Sequence, residues 1–397
     1  MNKQGHTDMQ RNRLRHLAEQ FNEYRHWARL AKQQTGKNEL TQLREINALR
    51  HTGGQCGISD YYGYKLYDPD YQEGRGAQDF LGWRLQSKLS MALNFREGVL
   101  PGWDKTVFMI MATEAGLPVA PILACYHPAD RISEALGRHL RTPDEVARFL
   151  RDPSIYPLFG KPAFSQQGYG GLSLAGYDPS SDQLELLDGN TLRVDTFLKR
   201  LTHRIEPRYH RPECGYLFQK TFTLAPEIQN LTHWPAICGV RIICLNGPDG
   251  VQPIRAIWKV ATPPNYIDNF SLGKNGNLLA NVNLATGEIS KMIGGFWPET
   301  RVFSEVPHSG QSVAGFHLPG WSDILDACRR AGAVFPLMKI HHWDFALTDQ
   351  GPLMLELNDI GGTEIAQVHG HGLLTDETRE FLKRHSNLKG NPWVKAL

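Results

Sequence analysis

The feature that most limits how this chain can fold is a pair of apolar runs near the C-terminal end, separated by a polar turn. The runs are Trp343–Leu347 and Leu353–Leu357. Between them lies the segment TDQGP at 348–352, which consists largely of residue types that favour turns. Two short apolar runs around such a turn predict a β-hairpin within residues 340–358.

Three side chains with oxygen donors are expected on one face of this hairpin. With the turn centred on Gln350, Asp344 lies opposite Glu356, and period-two alternation puts Asn358 on the face of Glu356. Two carboxylates directly opposite each other destabilise a sheet unless a positive group lies between them. Carboxylate and amide oxygens are ligands of Mg²⁺, which usually also binds substrate phosphates. We therefore predict a metal site at these three residues, with a solvent-facing polar edge as the alternative.

The rest of the chain alternates helix-like and strand-like segments. Apolar side chains mostly three or four positions apart predict helix within 8–48, and Thr142-Pro143 is a typical helix start. Residues 53–80 are rich in glycine, tyrosine and aspartate and predict a loop with short elements. Further helices are predicted at 104–114, 190–204, 322–331 and 376–384, and strands at 119–125, 156–161, 172–188 (a hairpin), 216–222, 240–245, 254–260, 281–283 and 291–293. This order favours a mixed α/β (α+β) fold with a large antiparallel share.

Composition and charge exclude several functional classes. The 397 residues are 41% hydrophobic and 21% charged, which is typical of a globular protein. A formal net charge of +2 gives no reason to expect nucleic-acid binding. No apolar run reaches the roughly 18 residues of a membrane-spanning helix, so we expect no membrane insertion. Six scattered cysteines and the lack of an apolar signal segment predict reduced thiols and a cytoplasmic location.

The first fifty residues are locally basic, with arginines and lysines interleaved by glutamates such as Glu19 and Glu23. This interleaving favours a solvated helix face over a docking surface for an anionic partner. The segment has no clean heptad pattern, so a homodimer through these helices stays an open alternative.

In the order of their motifs, these segments resemble the ATP-grasp enzymes. The resemblance rests on D-x(11)-E-x-N in the hairpin and on WDKTVFMIMATEAGLPVAPIL, LFGKPAFSQQGYGGLSL, YLFQKTF and VRIICL. More narrowly, SDYYGYKLYD, DNFSLGKNGNLLANVNLATGEI, PHSGQSVAGFHLPGW and QVHGHGLLTDETREFL resemble the sugar-transfer-associated ATP-grasp family. The resemblance covers roughly residues 55–385. The chain departs from the pattern at Lys274, where a second glycine is expected, and at Asp359.

The resemblance implies an ATP-grasp fold in which two α+β subdomains clasp ATP. It divides the chain into a helical N-terminal region at 1–100, a subdomain with a glycine-rich lid at 101–215, and a subdomain with the metal-binding hairpin at 216–397. The implied cofactors are ATP and a pair of Mg²⁺ ions, for which Mn²⁺ can substitute. The implied reaction joins a small-molecule carboxylate to an amine through an acylphosphate, with release of ADP, in glycoconjugate or small-metabolite synthesis. A phosphotransferase and a non-catalytic ATP-binding module are the alternatives.

Phosphate-binding roles follow from the resemblance for basic side chains and a glycine-rich loop. Lys105 and Lys161 are implied to bind the α- and β-phosphates, and the apolar residues around Lys161 favour a cleft over solvent. The glycines at 168, 170 and 171 are implied to form a lid, with an ordinary hairpin loop as the alternative. Residues 216–222 are implied to present their backbone to adenine. The full set implied for ATP binding is Lys105, Lys161, Gln166, Gly168, Gly170, Gly171, Leu217, Phe218, Gln219, Lys220 and Glu227.

The implied catalytic residues are Lys161 and Arg241. Arg241 lies within an apolar run, where a charge is rarely buried unless it is paired. An arginine that grips the γ-phosphate is therefore predicted, with an internal salt bridge as the alternative. Arg255 and Lys259, four positions apart, bind an acidic substrate or face solvent. His308 is a further candidate for substrate contact, although a single loop histidine is more often structural or exposed.

Overall fold

A computed structural model describes residues 21–129, 132–165, 168–203, 211–388 and 390–397. The chain forms two compact units. The first contains the described part of Met1–Leu89 together with Phe296–Thr300 and Gly362–Leu397. The second contains Ser90–Gly295 and Arg301–Gly361. The first unit thus unites segments from both ends of the sequence.

The described residues form helices, and between Ile122 and Asn358 also strands. The helices are α1 (21–35), α2 (Glu39–Arg50), α3 (Ile58–Gly63), α4 (Gln86–Leu93), α5 (Lys105–Glu114), α6 (Pro143–Leu150), α7 (Val194–Thr202), α8 (Pro226–Thr232), α9 (Trp321–Val334), α10 (Asp376–His385) and α11 (Pro392–Lys395). The strands are β1 (Ile122–Tyr126), β2 (Arg138–Leu140), β3 (Leu158–Pro162), β4 (Leu172–Asp178), β5 (Gln183–Leu186), β6 (Thr191–Arg193), β7 (Tyr216–Lys220), β8 (Gly239–Gly247), β9 (Gly250–Val260), β10 (Leu278–Val282), β11 (Ile289–Gly294), β12 (Arg301–Phe303), β13 (Ile340–Thr348) and β14 (Gly351–Asn358). None of the helices in the described ranges is long and apolar enough to cross a membrane.

The first unit is mainly helical and has an aromatic core. Trp27 of α1 packs against Tyr62 of α3 with ring centroids 5.8 Å apart, and Tyr62 packs against Tyr67. The buried hydroxyl of Tyr62 donates to Gln42 Oε1 at 2.9 Å, so the polar end of this ring is satisfied. The tyrosine-rich segment expected to form a loop with short elements therefore supplies both α3 and part of the core.

The second unit contains two seven-stranded sheets. In the first sheet the strand order is β2-β1-β7-β3-β4-β5-β6, and all neighbours are antiparallel except β1 and β2. Helices α6 and α7 cover one face through Phe149 and Phe197, which pack with Phe218 of β7. A capping box between Thr142 and Glu145 starts α6, as the Thr-Pro pair predicts.

The second sheet has the order β12-β11-β10-β9-β8-β13-β14, and every neighbouring pair is antiparallel. Apolar side chains from alternate positions, including Ile242, Trp258 and Trp343, form one core cluster with residues of α9 and α5. The other face of this sheet is the one that carries the candidate site.

The mixed α and β architecture with a large antiparallel share, predicted from the sequence, is confirmed. Local differences have local causes. The helix predicted within 8–48 lies outside the described residues up to position 20; from residue 21 onward it is divided between α1 and α2, where Gly36 adopts a φ of +74°. The helix expected at 190–204 begins only at Val194, because Thr191–Arg193 pair with β5 as β6.

Candidate functional site

The hairpin β13–β14 fixes the register of the predicted metal ligands. The strands are joined by the two-residue turn Asp349-Gln350, and Asp344 is the direct partner of Glu356, as predicted. Asn358 lies two residues beyond Glu356 and therefore on the same face. A register shift follows Asp344, so that Phe345 pairs with Met354 and returns to the apolar core.

A row of side chains, all polar except that of Ile257, crosses the sheet from this hairpin. Directly paired residues share a face of a sheet. The row runs through Glu356, Asp344, Arg241, Ile257, Asn281 and Lys291, one residue from each of β14, β13, β8, β9, β10 and β11. Arg255 and Lys259 lie on either side of Ile257 on the same face. We call this the charged face.

Arg241 and Asp344 form a bidentate ion pair at the centre of the charged face. Arg241 Nε and Nη2 donate to the two Asp344 carboxylate oxygens at 2.8 and 2.5 Å, and Nη1 donates to the Gly361 carbonyl at 2.6 Å. Asp344 is only 3% exposed. Burial alone raises the pKa of Asp344, but Arg241 and Lys259 together lower it to about 2. Arg241 therefore forms the internal salt bridge that the sequence left as an alternative.

Lys259 is shared between two carboxylates. Its Nζ lies 3.5 Å from Asp344 Oδ2 and 3.3 Å from each carboxylate oxygen of Asp268. Asp268 Oδ2 also accepts a hydrogen bond of 2.8 Å from the Gly239 N–H. Burial lowers the pKa of Lys259, but Asp268 and Asp344 outweigh it and raise the pKa above the ordinary value. The ammonium is therefore charged although it is almost completely buried.

Two residues of this region were missed by the sequence analysis. Asp268 could have been sought as the partner that a lysine in the apolar strand β9 requires, but its position in a loop gives no periodic signal. His342 lies two residues before Asp344 on the charged face and is 2% exposed. Burial, followed by the charge of Arg241, lowers the pKa of His342 to about 3, so this imidazole is neutral.

Two lysines from the first part of the second unit approach β14. Lys105 is the first residue of α5, where Asp104 caps the helix by accepting from the Thr106 N–H at 2.8 Å. Lys105 Nζ donates to the Ser165 carbonyl at 2.7 Å and lies 3.7 Å from Glu356 Oε2.

Lys161 on β3 is 8% exposed, and its Nζ donates to the Leu355 carbonyl at 3.3 Å. Burial, followed by the charge of Lys105, lowers the pKa of Lys161 to about 8, against a smaller opposing effect of Glu356. The structure thus brings Lys105 and Lys161 close to the segment of β14 that carries Glu356.

The glycine-rich loop has the backbone conformations that its sequence predicts. Gly168 and Gly170 adopt φ values of +76° and +77°, which side-chain-bearing residues rarely adopt. Tyr216 Oη donates to the Gly170 carbonyl at 2.9 Å, and a Cβ on Gly171 would lie 3.2 Å from the Phe159 ring. Gln166, also predicted to bind ATP, lies outside the described residues.

Strand β7 contains most of the segment that was predicted to present its backbone to adenine. It is a central strand, hydrogen-bonded to β1 on one side and β3 on the other, so the backbone of Tyr216–Lys220 is engaged in the sheet. Leu217 pairs with Lys161 and joins the core around α5, whereas Phe218 faces α6 and α7. These two side chains cannot line one wall, because neighbouring residues of a strand point to opposite faces.

The remaining residues of β7 also point in two directions. Gln219 shares the face of Leu217, and its Nε2 donates to the Ala120 carbonyl at 3.3 Å. Lys220 is exposed on the other face, where its Nζ lies 5.4 Å from the centre of the Phe222 ring. The structure therefore brings Leu217 and Gln219 to the side of Lys161, but not Lys220.

Two further candidates lie at α8 rather than on the charged face. Glu227 is exposed in the first turn of α8. His308 is exposed near the other end of this helix, and the next residue, Ser309, donates to the Leu231 carbonyl at 2.7 Å. The structure therefore places His308 beside α8, whereas Arg255 and Lys259 lie on the charged face.

The donor set of the hairpin fits a hard divalent cation. Asp344, Glu356 and Asn358 offer two carboxylates and an amide from neighbouring strands, which are ligand types of Mg²⁺. Asn358 Nδ2 is buried without a hydrogen-bond partner among the described residues, and a phosphate oxygen or a metal-bound water would satisfy it. Asp344 already forms ion pairs with Arg241 and Lys259. It can therefore bind a metal ion only when other anions take over these two cations.

Among the described residues, no cluster of three histidine, cysteine, aspartate or glutamate side chains is arranged to hold a metal ion. The predicted hairpin set contains only two such residues and takes its third ligand from an asparagine. It is therefore a site that would be completed by phosphate or water oxygens rather than by protein alone.

A family match covers the part of the chain that contains the charged face. Residues 201–382 match the family described as sugar-transfer associated ATP-grasp. This range contains Arg241, Lys259, Asp268 and the hairpin with Asp344 and Glu356. The family recognised in the sequence is thereby confirmed for this part of the chain. Comparison with curated proteins gave no match.

Solved structures that align with the chain include several enzymes of low sequence identity. D-alanyl-alanine synthetase A from Vibrio cholerae aligns at a TM-score of 0.41 and 9% identity, over 74% of this chain and 68% of that chain. N5-carboxyaminoimidazole synthase from Aspergillus clavatus aligns at 0.37 and 10%, over 74% and 58%. L-amino acid ligase from Bacillus licheniformis aligns at 0.35 and 11%, over 68% of this chain and only 43% of its own length. Similarity at this level assigns neither an activity nor a substrate.

Proposed function

Because residues 201–382 match the sugar-transfer-associated ATP-grasp family, we propose that the protein is a Mg-ATP-dependent ligase that joins a carboxylate to an amine. The observation that carries this proposal is the approach of Lys105 to Glu356 and of Lys161 to the neighbouring Leu355 carbonyl, beside the Arg241–Asp344 pair. ATP brings about four negative charges on its triphosphate, so a site for it needs fixed cations together with a metal.

The proposal gives the lysines and Arg241 different roles. Lys105 and Lys161 carry two positive charges against the single carboxylate of Glu356, so they attract an anion before any rearrangement. Arg241 is fully paired with Asp344 and binds the γ-phosphate only by exchanging one anion for another. An arginine fork suits this exchange, because phosphate and carboxylate present similar pairs of oxygens.

Glu356, Asn358 and, after that exchange, Asp344 would hold Mg²⁺. The ion would supply charge neutralisation and orientation of the phosphate oxygens. The protein needs no nucleophile of its own for this reaction, since positioning and electrostatic stabilisation account for most of the catalysis of phosphoryl transfer.

In the proposed reaction the carboxylate oxygen of the acid substrate attacks the γ-phosphorus, and the bond to the β-bridging oxygen breaks to release ADP. The amine substrate then attacks the acyl carbon of the acylphosphate. Inorganic phosphate leaves, and the nitrogen loses a proton to give the amide. Lys161 and Arg241 are the proposed catalytic residues, as charges beside the transferred group. The description of the family favours an amine on a sugar or sugar nucleotide.

The experiment is product analysis of purified protein with Mg-ATP and pooled carboxylic and amino acids, with and without hydroxylamine. ADP together with a hydroxamate supports carboxylate activation and identifies the acid by its mass. AMP would contradict the acylphosphate route. ADP with a stable phosphorylated product would favour a phosphotransferase. ATP binding with no turnover under any substrate would favour a non-catalytic module. The Glu356→Gln variant is the negative control, and Asp249→Asn, in the exposed turn between β8 and β9, is the neutral control.

A further inference from the structure

The loop between β9 and β10 holds one carboxylate, that of Asp268, against the charged face. Asp268 accepts from the Gly239 N–H at 2.8 Å and contacts Lys259 Nζ at 3.3 Å through both oxygens. Its side chain is 16% exposed. Gly239 begins β8, two residues before Arg241, so Asp268 is tied both to the strand and to the lysine.

The backbone on both sides of Asp268 is clamped by a single buried amide. Asn277 is completely buried, and its Nδ2 donates to the carbonyls of Ile267 at 2.7 Å and Asn269 at 2.9 Å. Its Oδ1 accepts from the Thr262 N–H at 3.0 Å. The residues before and after Asp268 are therefore fixed to the end of the loop, and the carboxylate cannot move far from Lys259.

Lys259 consequently has one acceptor that is fixed and one that the proposed reaction needs. Asp344 Oδ2 lies 3.5 Å from Lys259 Nζ and belongs to the proposed metal ligands. With Asp268 present, the buried ammonium keeps a counter-charge when a divalent cation takes Asp344. Without Asp268, the ammonium would have Asp344 as its carboxylate partner and would compete with the metal for it.

We propose that Asp268 is a positioning residue that holds Lys259 and thereby leaves Asp344 available to a divalent metal. This inference rests on the proposed Mg-ATP function, and it gives Asp268 a role that neither the family match nor the motif that Asp268 opens assigns. Partners of metal ligands commonly change metal affinity about 10- to 100-fold when they are removed. Asp268 acts at one further remove, through Lys259, so the lower end of this range is expected.

The test measures the Mn²⁺ concentration dependence of β,γ-methylene-ATP binding by calorimetry, in four proteins of a double-mutant cycle. These are the wild type, Asp268→Asn, Lys259→Met and the double variant. Asparagine keeps an oxygen for the Gly239 N–H and removes only the charge. We expect Asp268→Asn to raise the Mn²⁺ dissociation constant about tenfold in the wild-type background and less than about threefold in the Lys259→Met background.

The matched control is Asp249→Asn, which removes a carboxylate from the exposed turn between β8 and β9 and should leave Mn²⁺ affinity unchanged. Equal losses for Asp268→Asn in both backgrounds would overturn the inference, since Asp268 would then act without Lys259. An unchanged affinity would also overturn it. If the wild type binds neither Mn²⁺ nor nucleotide, the proposed function fails first, and this inference fails with it.

Discussion

Two charged clusters in the second unit differ in how completely they are compensated. Around Asp344, the cations Arg241 and Lys259 face the carboxylates of Asp344 and Asp268, all within 3.5 Å of a partner. Around Glu356, Lys105 lies 3.7 Å from the carboxylate, and Lys161 donates to the carbonyl of the neighbouring Leu355. The first cluster is neutral and closely bonded, whereas the second has an excess positive charge.

This difference suits two tasks of the proposed nucleotide site. A cluster with unbalanced cations attracts an anion immediately, at the expense of repulsion between its own charges. In a balanced cluster every charge already has a partner, so a phosphate or a metal that binds alone would leave a buried charge without one. We therefore expect phosphate and metal to bind to this cluster together. Burial, followed by the charge of Lys105, lowers the pKa of Lys161 in the unbalanced cluster. In the balanced cluster, Arg241 and Lys259 lower the pKa of Asp344 against the effect of burial.

The largest expected effect comes from the one carboxylate of the unbalanced cluster. Glu356→Gln should lower turnover roughly 100- to 1000-fold, because it removes a proposed metal ligand and leaves Lys105 and Lys161 without an anion. The measurement is ADP release under saturating ATP, with circular dichroism as the test of folding. A folded variant with normal turnover would contradict the metal assignment.

Breaking the balanced cluster should affect stability as well as activity. Asp344→Asn leaves Arg241 and Lys259 buried beside a neutral amide, and the expected loss is about 3 kcal/mol in the free energy of unfolding. Urea denaturation measures it. The control is the exposed Asp249→Asn, for which a change within about 0.5 kcal/mol is expected. Equal stability of the two variants would mean that the ion pair contributes nothing to folding.

The corresponding change in the unbalanced cluster should behave in the opposite way. Lys161→Met removes a buried charge that is repelled by Lys105, so the free energy of unfolding should stay within about 1 kcal/mol of the wild type. Nucleotide affinity should nevertheless fall roughly 10- to 100-fold, because a charged donor to phosphate is lost. Calorimetric titration with ATP tests this, and an unchanged dissociation constant would remove Lys161 from the site.

The pH dependence of nucleotide binding should reflect the same lysine. The pKa of Lys161 is lowered from 10.5 to about 8, so its ammonium is lost as the pH rises through 8. ATP affinity should therefore fall about fivefold between about pH 7 and about pH 9. Folding stability moves the other way: between 8 and 10.5 the unfolded chain binds the extra proton, so the contribution of Lys161 to stability rises with pH.

A Lys161→Arg variant provides the comparison for this pH dependence, since arginine stays charged throughout the range. Its ATP affinity should be flat where that of the wild type falls. The same slope in both proteins would assign the titration to another group.

The smallest effect is expected at His308, which the sequence offered as a further candidate and the structure places away from the charged face. His308→Ala should change turnover less than about twofold, because His308 lies beside the end of α8 rather than on the charged face. Steady-state assays with the substrate identified by product analysis measure this. A loss of tenfold or more would restore His308 to the site.

Local chain geometry explains which parts could be predicted from the sequence. In the hairpin, the local two-residue turn sets the pairing as far as Phe345 and Met354. Beyond them a register shift, which the spacing did not predict, brings Glu356 opposite Asp344. The cap of α5 and the capping box of α6 are equally local. Strand β7 is different, because its neighbours β1 and β3 come from distant parts of the chain. The sequence of β7 alone therefore did not predict that it is a central strand.

The pairing of charges was the least predictable feature. Arg241 and Asp344 are separated by 103 positions, and the sequence allowed both a phosphate ligand and an internal salt bridge for the arginine. Asp268 lies in a loop whose position depends on the buried amide of Asn277. Such contacts form only when the sheet is assembled, so composition and periodicity do not predict them.

The Arg241–Asp344 pair also constrains how relatives of this protein can diverge. Loss of Asp344 alone leaves the buried Arg241 without a counter-charge, at about 3 kcal/mol, which is a large part of the roughly 5–15 kcal/mol that holds a typical domain folded. Loss of Arg241 alone is expected to cost less, because Asp344 keeps Lys259 as a partner. We therefore expect a relative that lacks the aspartate to lack the arginine as well, although the two residues lie 103 positions apart.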